Sequence, residues 1–149
     1  MTAEVTALKR ATFRYIEAEL YDYHKTKADL MALRAEIIEA APRRDDKVRT
    51  RGQSYRGDPT ASRAARLVTN RRLTKMAETI AAIEKVNRLL PPEKRRLIEL
   101  KYWDGTLSNR RVAEALHVSD ATFYRWRQEI ITAVAIELGL MDAVDDKVG

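Results

Sequence analysis

The sequence predicts an all-α protein, with a long N-terminal helical hairpin followed by a C-terminal helix-turn-helix domain. The 149-residue chain contains five glycines and four prolines, and almost all of them lie between long segments. Inside the segments, large apolar residues recur at steps of three, four or seven, which is the spacing of one face of a helix. No segment shows the alternating β-branched pattern that is typical of a strand.

The first predicted helix runs from about Thr2 to Ala40 and contains neither glycine nor proline. One continuous apolar stripe follows it, made of Phe13, Ile16, Leu20, Tyr23, Leu30 and Ile37. A helix of that length spans ~57 Å, which is more than a small domain covers. We therefore expect a second helix to bury part of the stripe, and either another copy of the chain or the C-terminal domain to cover the rest. Self-association to a homo-oligomer is expected.

Residues 41–62 are predicted to form a loop, because Pro42, Gly52, Gly57 and Pro59 interrupt them. Within the loop, residues 43–56 form a basic tract with six cations against two acidic residues. The cations are Arg43, Arg44, Lys47, Arg49, Arg51 and Arg56. The tract is either a solvated connection or a set of DNA phosphate contacts.

A second long helix is predicted from an N-cap at Thr60 to about Leu89. Its apolar face, which can pair with that of the first helix, contains Leu73, Met76, Ile80, Ile83, Val86 and Leu90. Pro91 and Pro92 end it, because an interior proline removes a backbone hydrogen bond and clashes with the preceding turn.

The C-terminal third is predicted to contain shorter helices. One begins near Pro92 and stops at Asp104 and Gly105, with Leu97, Leu100 and Tyr102 or Trp103 on its inner face. The next is capped by Ser108 and carries Val112, Ala113 and Leu116 inward, and the turn after it places His117 where glycine is common. The last is capped by Ser119, runs from Asp120 to Leu138 and ends at Gly139, with Phe123, Trp126 and Ile130 facing the core.

This arrangement leaves the first turns of the last helix free to enter a DNA major groove. Rotation by 100° per residue places Ala121, Arg125 and Gln128 opposite the core face, with Tyr124 on the flank. Arg125 suits guanine and Gln128 suits adenine. Tyr124 can stack on a sugar or contact a thymine methyl. Ser119, Arg110 and Arg111 are candidate phosphate contacts, whereas Arg95, Arg96, Lys101 and Arg127 are each expected to solvate a helix face.

Other classes of protein are disfavoured by composition. The chain has no cysteine and only two histidines, His24 and His117, in ordinary helical contexts. We therefore expect no enzyme, no metal site and no cofactor. No stretch approaches the ~20 apolar residues of a membrane span, and the N-terminus does not resemble a signal peptide, so a cytoplasmic location is expected. The net charge of +6 alone is weak evidence for nucleic acid.

Particular motifs resemble known proteins. Leu90–Arg95, Leu97–Trp103, Val112–Ser119 and Phe123–Arg127 resemble the region 4 helix-turn-helix of sigma factors, and more closely the phage late transcription regulators of the ArpU/RinA type. Thr12–Tyr23, Gly57–Thr60 and Leu67–Thr69 are similar to the N-terminal half of that family.

The resemblance implies a cytoplasmic phage or prophage protein in a bacterial host that activates late genes by binding double-stranded DNA near a promoter, with RNA polymerase as a second partner. It places the recognition helix at Ser119 to Gln128, which adds Asp120 and Thr122 to the candidate DNA contacts. The domain division that we expect is a hairpin over residues 1–90, a DNA-binding domain over 91–141 and a flexible tail over 142–149. Two alternatives stay open: a small terminase subunit that recognises a packaging site, and a helical adaptor that does not bind DNA.

Overall fold

The protein is described by a computed structural model that covers residues 8–40 and 59–140. All regular structure in these two ranges is helical, which confirms the all-α prediction. The basic tract and the tail over residues 142–149 lie outside the described residues. The helices are α1 (Arg10–Tyr21), α2 (Tyr23–Ala40), α3 (Pro59–Leu89), α4 (Pro92–Ile98) with a π-helical turn directly after it (Glu99–Asp104), α5 (Asn109–Ala115) and α6 (Asp120–Glu137).

The prediction of one unbroken helix from Thr2 to Ala40 is wrong. The helix begins at Arg10, after Lys9 in extended conformation, and it is interrupted at Asp22, where φ is −90° and ψ is 3°. The spacing between Leu20 and Tyr23 is unaffected by this single-residue break, and both side chains are buried. The spacing of the apolar residues therefore gives no indication that the helix is interrupted.

The second long helix begins earlier than expected. Thr60 is its second residue, after Pro59, so Thr60 is not the N-cap. Proline at a first helical position is favourable, because its missing N–H would have no partner there. The predicted end at Leu89 is confirmed, and Pro91 becomes the N-cap of α4.

The chain divides into two compact units, one with the described residues 8–25 and 78–140, and the other with 26–40 and 59–77. The first unit has a well-developed core to which α1 and α3 to α6 all contribute. In the second unit Leu30 is buried, but Ile37 is 38% exposed, so the stripe predicted for the first helix is buried over only part of its length. These two units do not test the predicted boundary at Leu90 between an N-terminal hairpin and a C-terminal DNA-binding domain. That boundary stays a prediction.

The π-helical turn shapes the centre of the first unit. The N–H of Gly105 donates to the carbonyl of Leu100, five residues earlier, at 3.3 Å, and Gly105 has a left-handed φ of 67°. A π-helical turn is wider than an α-helical one. Lys101 and Tyr102, next to each other in sequence, are both buried there.

Candidate nucleic-acid interface

Helices α5 and α6 are held by caps that the sequence predicts. The N–H of Arg111 donates to Ser108 Oγ at 3.2 Å, and the N–H of Thr122 donates to Ser119 Oγ at 3.1 Å. Ser119 Oγ also lies 3.1 Å from Thr122 Oγ1. Each hydroxyl satisfies a backbone donor that has no partner within its own helix.

The turn between α5 and α6 closes in the geometry that usually selects glycine. His117 has a φ of 59°, and its N–H donates to the carbonyl of Glu114 at 3.0 Å. The N–H of Val118 donates to the carbonyl of Ala113 at the same distance. This pair of hydrogen bonds is the Schellman arrangement, in which a left-handed residue ends a helix. The expectation that His117 occupies a glycine-like position is confirmed.

The inner face of α6 anchors it to the core. Phe123, Ile130 and Val134 are at most 1% exposed, and Ala113 of α5 is also buried. Trp126 is half-buried rather than fully enclosed, and the ammonium of Lys94 lies 6.0 Å from the centre of its ring. Lys94 Nζ also donates to Glu129 Oε1 at 2.6 Å. Apolar packing along one side therefore fixes the rotation of α6 about its own axis.

The opposite side of α6 is open over its first two turns. Ser119, Asp120, Ala121, Tyr124 and Arg125 are exposed. Thr122 and Gln128 are half-buried, and Arg110 and Arg111 on α5 are exposed. The structure therefore brings the nine candidate residues together on α5 and the start of α6, and it leaves Arg125 available for contact.

Tyr124 is held in place by a residue that the sequence does not single out. The guanidinium of Arg127 lies 4.9 Å from the centre of the Tyr124 ring and 5.0 Å from that of Phe13. The Tyr124 ring also packs edge-on against Phe123 at 5.2 Å. Arg127 Nη1 reaches Glu17 Oε2 at 3.8 Å. The expectation that Arg127 merely solvates a helix face is wrong, because α1 supplies Phe13 and Glu17 as its partners.

A partly buried polar cluster is formed by Lys101, Tyr102, Glu17, Tyr21 and Asn109, of which Lys101 and Tyr102 are buried and Tyr21 is exposed. Lys101 is only 7% exposed, which corrects its expected role as a solvated cation. Its ammonium donates to Asn109 Oδ1 at 2.8 Å and to the Tyr21 hydroxyl at 3.0 Å. The Tyr102 hydroxyl donates to Glu17 Oε2 at 2.8 Å. These bonds tie the first residue of α5 to α1 through the π-helical turn.

The charges of this cluster are compensated at close range. Glu17 Oε2 lies 3.9 Å from Lys101 Nζ, and the Lys101 ammonium lies 5.1 Å from the centre of the Tyr102 ring. Burial, together with the neighbouring Glu17 carboxylate, raises the pKa of Tyr102 far above its ordinary value. Tyr102 is therefore a neutral hydrogen-bond donor throughout the physiological range. No sequence signal marks this cluster, since its members come from three elements that only the fold brings together.

Two further findings concern the described residues alone. Across residues 8–40 and 59–140, no three histidine, aspartate or glutamate side chains are grouped so that they could hold a metal ion. None of the helices in those ranges is long and apolar enough to cross a membrane.

The fold and the interface define an all-α protein that presents an exposed polar face at the start of a firmly anchored helix. Residues 15–135 match the family described as "Protein of unknown function (DUF722)", and the chain belongs to that family. It is 28% identical over 139 residues to the protein named transcriptional activator rinA of Staphylococcus phage phi11, covering 93% of this chain and 99% of that relative. The resemblance to regulators of the ArpU/RinA type is confirmed. No solved structure matches the chain.

Proposed function

We propose that the protein is a sequence-specific DNA-binding regulator of transcription that activates late genes of a phage or prophage. Similarity to a protein named as a transcriptional activator, over nearly the full length of both chains, supports a role in transcription. The observation that carries DNA binding is the exposed face of α6, where Arg125 is open to solvent while Phe123 is 1% exposed.

The exposed face of α6 fits the major groove. An α-helix enters that groove end-on or along its length, and its first turns reach the base edges. The Arg125 guanidinium offers two parallel donors to guanine O6 and N7, and the Gln128 amide can donate to and accept from adenine. Ala121 is small enough for close approach, and the Asp120 carboxylate can accept from the amino group of cytosine.

Phosphate contacts fix the position of the helix on the duplex. The start of α6 presents backbone N–H groups beside the Ser119 cap, and a helix N-terminus favours a phosphate through its dipole. Arg110 and Arg111 are exposed on the preceding helix. The basic tract supplies further positive charge, and the first part of α3, residues 59–77, continues it with five cations and no acidic residue. Such contacts give affinity without sequence preference.

Tyr124 supports recognition because its ring is already in position. Its contacts with Arg127 and Phe123 restrict the side chain before any ligand arrives. A side chain that is ordered in advance loses less entropy when it binds. Tyr124 is 46% exposed, so one face of the ring remains for a sugar or a thymine methyl.

The test begins with selection of bound sequences from a random duplex library by the full chain. Affinity for the selected duplex and for a random duplex is then measured for Arg125→Ala and for a matched control, Arg88→Ala, which removes one exposed arginine from α3. Arg125→Ala is expected to lose about 1–3 kcal/mol on the selected duplex only and to relax preference at one base pair.

Three outcomes would contradict the proposal or its parts. Equal losses on both duplexes would remove the assignment of Arg125 to a base contact. An absence of DNA affinity at low salt would favour the adaptor. A closed ring of many copies that binds a packaging site would favour the terminase subunit.

The partners that this function requires are double-stranded DNA and RNA polymerase. Recruitment of polymerase is tested by transcription from a template that carries the selected sequence upstream of a promoter. Stimulation that disappears with Arg125→Ala is expected. Unchanged or reduced transcription on that template would contradict activation.

A further inference from the structure

The part of α2 in the second unit carries an apolar stripe that the described residues of the chain leave uncovered. Ala28, Met31, Ala35 and Ile38 are spaced by three, four and three residues, which are the a and d positions of a coiled-coil heptad. All four are exposed, Met31 to 62% and Ile38 to 73%. Exposed apolar residues at this spacing are typical of a helix face that packs against another helix.

The stripe lies on the side of α2 away from α3. Leu33 and Ile37 of α2 line a groove together with Ala65 and Thr69 of α3, so this side of α2 faces α3. At 100° per residue, Met31 and Ile38 lie roughly 140–160° around the helix from Leu33 and roughly 100–120° from Ile37. Helix α3 leaves both side chains exposed, and none of the described residues, 8–40 and 59–140, covers them.

The charges that flank the stripe fit a second copy of α2 in parallel orientation. With Ala28 at position a, Arg34 occupies g of the first heptad and Glu39 occupies e of the heptad that follows. In a parallel pair, a g side chain meets the e side chain of the next turn on the partner helix, so Arg34 of one copy meets Glu39 of the other, twice by symmetry. In an antiparallel pair, g meets g, which would set positive charges against each other.

We propose that α2 forms a parallel two-helix seam with α2 of a second copy, through Ala28, Met31, Ala35 and Ile38. The small alanines at a allow the helix axes to approach closely, and Met31 and Ile38 fill the space at d. The seam is ~16 Å long, which is short for a coiled coil, so the dimer dissociates at low concentration. This proposal deepens the expectation of self-association and does not depend on DNA binding.

The first experiment measures the mass of the full chain by sedimentation over a range of concentrations without DNA. We expect a monomer–dimer equilibrium between the 17.1 kDa chain and twice that mass. Met31→Glu/Ile38→Glu should raise the dimer dissociation constant on the order of 100-fold or more, because it places two buried charges per chain in the seam. The matched control, Leu67→Glu/Val68→Glu, alters residues of α3 that are exposed to 58% and 66% and should leave the constant unchanged.

Several results of this experiment would overturn the proposal. They are a monomer at every concentration, a closed ring, a dimer that persists in the α2 variant, and loss of the dimer in the α3 variant instead. Circular dichroism checks that each variant keeps its helices. If Met31→Glu/Ile38→Glu unfolds, the thiol experiment described next tests whether the α2 seam forms.

The second experiment tests orientation and exploits the absence of cysteine from the chain. Ala28→Cys places one thiol at one end of the stripe. A parallel seam brings the two thiols together, so mild oxidation of a dilute sample should give a covalent dimer. An antiparallel seam would place Ala28 opposite Ile38, and no cross-link would form. Val68→Cys, exposed on α3, controls for random oxidation.

Charge exchange provides a further test of orientation. Arg34→Glu and Glu39→Arg should each weaken the dimer, and the double variant should restore it, because the g–e′ pair is then complementary again. Failure of the double variant to recover would overturn the parallel assignment.

Discussion

Tyr102→Phe is the sharpest test of the polar cluster that ties α1 to the π-helical turn. The substitution removes one hydroxyl and keeps the ring, so it opens no large cavity. In the native protein that hydroxyl donates to Glu17 Oε2 at 2.8 Å, and Tyr102 is 3% exposed. Lys101 Nζ and Arg127 Nη1 lie 3.9 and 3.8 Å from the same oxygen, which is too far for a hydrogen bond.

The expected loss of unfolding free energy follows from these contacts. A hydrogen bond to a charged group contributes roughly 1.5–3 kcal/mol. The Glu17 side chain is 20% exposed, so water compensates in part for the missing donor. We therefore expect a loss of about 1.5–2 kcal/mol, at the lower end of that range.

Urea unfolding of the full chain measures this loss, with Tyr124→Phe as the control. Tyr124 is 46% exposed, and loss of its hydroxyl should change stability by less than about 0.5 kcal/mol. A double-mutant cycle with Glu17→Gln should show a coupling of at least about 1 kcal/mol. A loss under about 0.5 kcal/mol for Tyr102→Phe, or additivity in the cycle, would refute the role given to this bond.

The same residue predicts how stability depends on pH. An unfolded tyrosine releases its proton near pH 10.0, whereas the raised pKa keeps Tyr102 protonated in the folded protein. Above that pH the folded state binds more protons than the unfolded state, so stability falls as pH rises, by up to about 1.4 kcal/mol per pH unit from this group. The decline above pH 10.0 should be shallower in Tyr102→Phe than in the native protein. Parallel declines would contradict the raised pKa.

Three further predictions concern the interface and the basic tract. Ser119→Ala removes the α6 cap and should cost about 1 kcal/mol in urea unfolding; no change would mean that the cap bond is unimportant. His117→Gly should stabilise the protein by about 0.5–1 kcal/mol, because glycine adopts the left-handed φ without strain, and a lower melting temperature would contradict this. Neutralising the six cations of the basic tract should weaken binding to all DNA and flatten its salt dependence, and an unchanged salt slope would mean that the tract is only a linker.

The sequence was sufficient where structure is decided locally. Ser108 and Ser119 cap their helices through bonds to residues three positions ahead, and Gly139 ends α6 with a φ of 72°. Such signals depend on a few neighbouring residues, so one sequence carries them. The inward side of α6 follows in the same way from the spacing of Phe123 and Ile130.

The sequence was insufficient where distant segments decide the outcome. The break at Asp22 leaves the apolar spacing intact. The side chains that contact Arg127 and Lys101 include residues of α1, and the nearest of these in sequence, Tyr21, is 80 positions away from Lys101. From the sequence alone, a charged residue on a helix is expected to be solvated. Only the fold shows that a partner such as Glu17 lies next to it. The roles of the nine interface residues in DNA binding stay predictions, because exposure shows only that they are available.

The central claim is that the outer face of α6 enters the major groove of a specific DNA site. A cleavage reagent attached to Ala121→Cys tests it directly, because the chain has no other cysteine and Ala121 is exposed. On the selected duplex we expect cuts confined to the centre of the bound site, whereas the same reagent on Val68→Cys should leave that centre intact. Uniform cutting from Ala121→Cys, or the same pattern from both positions, would contradict the claim.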